Sequence, residues 1–177
     1  MKTLEKKYLE RLSELYPTIS SAASEIINLQ SILNLPKGTE HFLTDIHGEH
    51  EAFIHMLKSA SGVIRAKIEE VFGPDLTREE RDELAALVYN AAAEIKRRKK
   101  TETDFDKWCK ISILRLILIC KSVSTKYTRS KVRKRLPKEY AYIIDELLHA
   151  DDEANKGNYY GQIISSIVES EIAEDFI

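Results

Sequence analysis

Cysteine is nearly absent. Cys109 and Cys120 are the only two in 177 residues, too few for a disulfide framework and too far apart for a Cys-x-x-Cys redox or metal motif. Both fall in an apolar helical stretch and read as buried thiols of a reducing compartment. Long apolar runs are missing as well. The longest, Ile111–Cys120, is too short to span a bilayer and contains Arg115. The first residues, MKTLEKKYLERL, hold no apolar segment of the signal-peptide kind. Neither sign of charge dominates: the net charge is -2, which favours neither nucleic acid nor a membrane surface as partner. No repeat period and no low-complexity linker occurs. These absences leave a cytoplasmic globular chain, long enough for one domain with a real core.

What is present is mostly helical patterning. Leu4, Tyr8, Leu12 and Leu15 share one helical face, closed by Pro17. Ile19, Ala22, Ala23, Ile26, Ile27, Gln30 and Leu33 give a second amphipathic helix, and Leu35–Gly38 a turn. His41–Ile46 is the one convincing strand. A helix then runs from about Glu49 to Ala60, breaks at Ser61-Gly62, and resumes over Val63–Phe72. Thr77-x-x-Glu80 predicts a capping box for a helix that continues to Lys96–Lys100, where cations suit the dipole. Thr103 or Asp104 caps the next helix, whose Ile111–Cys120 run is apolar nearly all round and reads as central and buried. Helices near Lys138–Ala150 and Tyr159–Ala173 follow a basic connector. Two features point to the front part of a larger protein. A lone strand cannot satisfy its own backbone groups, and the chain stops on apolar Phe176-Ile177 with no helix stop signal.

The chemistry concentrates in His41–Phe53, HFLTDIHGEHEAF. Residues two apart on a strand face one side, so Asp45 and His47 converge at the strand's carboxyl end. Gly48 allows a sharp turn there, and the following helix aims its N-terminus at the same region. A carboxylate with an imidazole suits Mn, Fe or Zn. The ordinary alternative is that Asp45 is a helix N-cap and His47 a turn residue. Two ligands do not make a catalytic two-metal site, and the rest of the chain offers few more. Gly157-Asn158 precedes Tyr159-Tyr160 and reads as a helix cap. His149-Ala150-Asp151-Asp152 reads as a solvated acidic turn. His50 and His55 lie on the helix after the motif. His50 could stand behind the ligands, although a surface or core role is the commoner one.

A second concentration is basic. Lys121, Lys126, Arg129, Lys131, Arg133, Lys134, Arg135 and Lys138 occur with no acid among them. Lys126, Arg129, Lys131 and Arg133 are candidates for holding the phosphates of a ligand or effector. The bland alternative is a solvated basic helix pairing with the acidic run Asp145–Glu153.

TDIHGEHEAFIHMLKSASGVIRAKIEEVFG resembles the first metal motif of the calcineurin-like metallophosphoesterases, and more narrowly the class III fructose-1,6-bisphosphatases of bacteria. KYTRSKVRKRLP (126–137) and LLHADDEANKGNYYGQII (147–164) are similar to the same family, and the resemblance runs from about residue 5 to the end. It implies that Asp45 and His47 are metal ligands and that the metal is a divalent ion of the Mn²⁺ type. It implies hydrolysis of the 1-phosphate of fructose 1,6-bisphosphate in gluconeogenesis. The family's later motifs, Gly-Asp-x-x-Asp-Arg-Gly and Gly-Asn-His-Glu, are absent from this sequence. The expected fold is therefore mostly α, a helical region with one short strand belonging to an incomplete α/β metallophosphoesterase sandwich. Residues 1–73 would carry the first metal motif and 74–177 a helical insertion. The expected partners are fructose 1,6-bisphosphate, the remaining C-terminal part of the protein and a second copy in a homo-oligomer, but neither nucleic acid nor membrane. The expected isolated chain is inactive. A rival reading is a non-catalytic helical module that binds a phosphorylated metabolite or a partner protein, which would be indifferent to Asp45→Asn. A nucleic-acid binder built on Lys96–Lys100 and the connector is disfavoured by the overall charge.

Overall fold

The computed structural model describes residues 3–38, 40, 42–150 and 157–177. Contacts divide the chain into two compact units, one formed by the residues up to Gly38 with Lys126–Thr128, the other by the remainder.

The first unit holds α1 (Thr3–Leu15) and α2 (Ile19–Ile32). Pro17 lacks an amide hydrogen and separates them. Thr18 then opens α2. Its side chain accepts from the Ser21 amide at 3.1 Å, and the Thr18 amide donates to Ser21 Oγ at 3.1 Å. This reciprocal box satisfies two amides at the helix start. Neither helix buries a residue.

The second unit is built around one long helix, α7 (Phe105–Ser124). Before it come α3 (His50–Ser59), α4 (Val63–Phe72), α5 (Arg78–Tyr89) and α6 (Ala91–Thr101). After it come α8 (Arg129–Arg133), α9 (Ala141–Leu148), α10 (Gly157–Glu169) and α11 (Ala173–Phe176). Two apolar clusters form the core. Ile68, Phe72, Leu84, Leu87, Ile95 and Ile119 make one, and Cys109, Ile113, Ile117, Leu147, Ile167 and Val168 belong to the other. Helix α7 contributes to both, and its Phe105 and Trp108 pack against both. Arg115, the charge inside the apolar run, reaches Glu80 of α5 at 2.8 Å. No helix among the described residues is long and apolar enough to cross a membrane.

Several expectations change. The described residues contain no strand: residues 42–46 have no regular secondary structure, and His41 lies outside the described residues. An apolar extended run becomes a strand only beside another strand, and none stands beside this one among the described residues. The helix expected from Thr77 to Lys100 is two helices, broken at Asn90 (φ -150, ψ 69). Helix α7 is central but not buried all round. Ile111, Leu114 and Leu118 share an open face, and Cys120 is exposed while Cys109 is buried.

Candidate metal centre

The chain reverses at His47-Gly48. The Glu49 amide donates to the Ile46 carbonyl at 3.0 Å, and both central residues have positive φ, +50 for His47 and +78 for Gly48. Two positive φ angles in a tight turn are the signature of a type I′ turn. Glycine adopts them freely, and His is among the side chains that tolerate them best. The turn folds His47 back over Asp45. Asp45 Oδ1 accepts from the His47 amide at 3.3 Å, and Asp45 Oδ2 lies 3.3 Å from His47 Nε2. Both side chains are open to solvent, 72% exposed for Asp45 and 80% for His47.

This arrangement excludes Asp45 as the N-cap of α3, while His47 is a turn residue, as the ordinary alternative has it. The Asp45 carboxylate serves His47 and does not cap α3. The N-cap of α3 is Glu49, whose side chain makes no capping hydrogen bond. The His50 amide that opens α3 donates to the Gly48 carbonyl at 2.8 Å, and no side chain of the N-cap residue caps the amides that follow it, so the helix start keeps partial positive charge that favours an anion nearby. His50, the first residue of α3, is exposed. His55 stacks edge-to-face on Tyr89 of α5, with ring centroids 5.3 Å apart, so it serves to hold α3 on the core. Behind α3, Ala60, Ser61 and Gly62 are three successive residues with positive φ.

A carboxylate oxygen and an imidazole nitrogen that converge at the surface match the donor set of a borderline divalent cation. No group of three or more His, Cys, Asp or Glu able to hold a metal occurs among the described residues. Asp45 and His47 thus fit one side of a metal site. Asp151 and Asp152 lie outside the described residues. Asn158 is exposed in the first turn of α10.

Two arginines of the basic connector pair with the same acid. Arg129 donates to Asp145 Oδ2 at 3.1 Å, and Arg133 Nε stands 3.6 Å from the same oxygen. His149 Nδ1 is 2.7 Å from the Asp145 carbonyl and 3.4 Å from Oδ1. Asp145 is mostly buried, with its Oδ1 lacking a hydrogen bond, so it serves as the post to which α8 is tied. Lys126 is half-buried and Lys131 exposed. The other basic run is engaged too. Arg98 pairs with Glu83, Glu94 and Glu102, and Arg97 pairs with Glu94. The spacing Glu94, Arg98, Glu102 is the i, i+4 signal by which sequence alone could have found this network.

The firmicute fructose-1,6-bisphosphatase family model matches residues 7–177. A class 3 fructose-1,6-bisphosphatase of Clostridium beijerinckii is 56% identical over 172 residues, 97% of this chain and 26% of the relative. Class 3 fructose-1,6-bisphosphatases of Clostridium acetobutylicum and Clostridium botulinum are 55% and 54% identical over the same shares. The chain thus spans about a quarter of the length of these relatives. No solved structure matches. The chain belongs to the firmicute fructose-1,6-bisphosphatase family.

Proposed function

We propose that this chain is the N-terminal part of a metal-dependent fructose-1,6-bisphosphatase of the metallophosphoesterase type, and that Asp45 and His47 are two ligands of its metal site. The observation that carries this reading is the His47-Gly48 turn, which brings Asp45 Oδ2 within 3.3 Å of His47 Nε2 at the surface. Similarity to class 3 fructose-1,6-bisphosphatases supports fructose 1,6-bisphosphate as the substrate, and the proposal takes its 1-phosphate as the group removed. A divalent cation, manganese by preference, supplies positive charge to the phosphoryl oxygens when bound.

Asp45 is an acceptor-only carboxylate when ionised, and His47 offers Nε2 as a neutral imidazole. Gly48 fixes the direction of both by holding the turn. The uncapped start of α3 lies just after the turn and favours the phosphate end of a substrate. Lys126, Arg129, Lys131 and Arg133 are read as a phosphate or effector contact. Arg129 and Arg133 share a single carboxylate, Asp145, so the pair keeps an excess of positive charge. The remaining metal ligands come from the part of the enzyme that this chain does not span, and the reaction serves gluconeogenesis in the cytoplasm.

The test is phosphate release from fructose 1,6-bisphosphate by the polypeptide of the whole reading frame, with Asp45→Asn and His47→Ala beside the wild type. Loss of a partner behind a metal ligand already costs about 10–100-fold. Loss of a ligand itself is expected to lower kcat by about a hundredfold or more, with the far-ultraviolet circular dichroism unchanged. Full activity in both variants would remove Asp45 and His47 from the site.

A further inference from the structure

Helix α2 carries a single charged side chain, Glu25, in 14 residues. Seven of its fourteen residues are apolar, and an amphipathic helix ordinarily lays its apolar face against another part of a protein. Here it buries nothing, and Ile19, Ile26, Ile27, Leu29, Ile32 and Leu33 are all exposed, Ile19 by 90% and Leu33 by 85%. Its apolar positions are ordered. Ile19, Ile26 and Leu33 recur every seven residues, with Ala22 and Leu29 between them. This is the a/d spacing of a seam that receives another helix knobs-into-holes. Helix α1 does not fill that role, because it makes no extended packing along α2.

The length of the seam identifies the kind of occupant. Fourteen residues make a helix about 21 Å long. Stable complexes between separate molecules bury about 1,200–2,000 Å², more than two heptads of one helix supply. A helix on the same polypeptide needs far less area, because linkage gives it an effective concentration in the millimolar range. The class 3 relatives extend well beyond the part matched here, which is 26% of their length.

We infer that the Ile19–Leu33 seam of α2 is covered by an amphipathic helix from the part of the same polypeptide that this chain does not span. The inference rests on the reading of the chain as part of a longer enzyme. Such docking ties the first unit to the remainder of the enzyme without using the Asp45–His47 turn.

The experiment places the photocrosslinker p-benzoylphenylalanine at Ile26, in the seam, and at Ser24, off it, in the whole polypeptide. Cross-linked peptides are then identified by mass spectrometry. The expected result is a several-fold higher yield at position 26, within monomer-sized species, to one helical peptide outside residues 1–177. Cross-links to α2 of a second copy, cross-links confined to residues 3–177, or equal yields at both positions overturn the inference. Hydrogen exchange on the unmodified protein guards against a misfolded variant. The α2 amides are expected to exchange slowly in the whole polypeptide and fast in residues 1–177, and fast exchange in both overturns the proposal. An active enzyme with unprotected α2 defeats this inference alone. A protected α2 in a protein that leaves fructose 1,6-bisphosphate untouched defeats only the functional reading. A reading frame that adds nothing to residues 1–177 defeats both.

Discussion

A side chain at position 48 would meet nothing within 4 Å, yet its backbone φ is +78. The requirement for glycine there is conformational, not spatial. An L side chain in the left-handed region costs roughly 1–2 kcal/mol. Gly48→Ala is therefore expected to loosen the turn by about 1 kcal/mol. The Glu49 amide, which closes the turn on Ile46, should then exchange about fivefold faster with solvent; unchanged exchange would show that the turn tolerates alanine. Asp45, His47 and Gly48 were legible as a group because an Asp-x-His-Gly stretch before a helix is a pattern of residue types. The way they meet was not legible. Strand alternation was expected to align Asp45 with His47, whereas the turn does so here, with His47 itself at φ +50. Asp145 shows a different limit. Its acidic surroundings suggested pairing with the connector, but only the folded chain shows Arg129, Arg133 and His149 gathered on that one carboxylate.

Among the elements, capping signals were the most legible. The Thr77–Glu80 box forms as expected, with the Glu80 amide donating to Thr77 Oγ1 at 3.2 Å and the Thr77 amide to Glu80 Oε2 at 2.9 Å. Asp104 caps α7 by accepting from the Lys107 amide at 2.9 Å. The Thr18 box was not foreseen, because Ser21 stands where Glu or Gln would announce it. The break at Asn90 was hidden by apolar spacing that continues from Leu84 to Ile95 across it. Two helix carboxylates give these elements a pH dependence. The Thr77 amide hydrogen bond, and then Arg115, hold Glu80 below its ordinary value of 4.5. Arg97, and against burial also Arg98, do the same for Glu94. A carboxylate depressed in the folded state contributes stability that is present above 4.5 and lost as pH falls through the lower folded value. The thermal midpoint is thus expected to fall on acidification below about pH 4.5. Glu80→Gln with Glu94→Gln should flatten that fall. An identical acid limb in the double variant would contradict the assignment.

For the molecule as a whole, the helical class was readable because 3.6-residue periodicity recurs along most of the chain; the apolar faces of the second unit form its core, whereas those of α1 and α2 bury no residue. The buried, all-round character of α7 was overstated. Ile111, Leu114 and Leu118 remain open because no described element covers that face. The strand at His41–Ile46 depends on backbone partners that no local pattern in the described residues supplies. The same dependence governs the proposed site: Asp45 and His47 supply two donors among the described residues, and the proposal places the further ligands outside this chain. The most direct test compares Mn²⁺-dependent phosphate release from fructose 1,6-bisphosphate by residues 1–177 and by the whole polypeptide, side by side. The account predicts release by the whole polypeptide only, abolished by Asp45→Asn. Robust, Asp45-dependent release by residues 1–177 alone would contradict it.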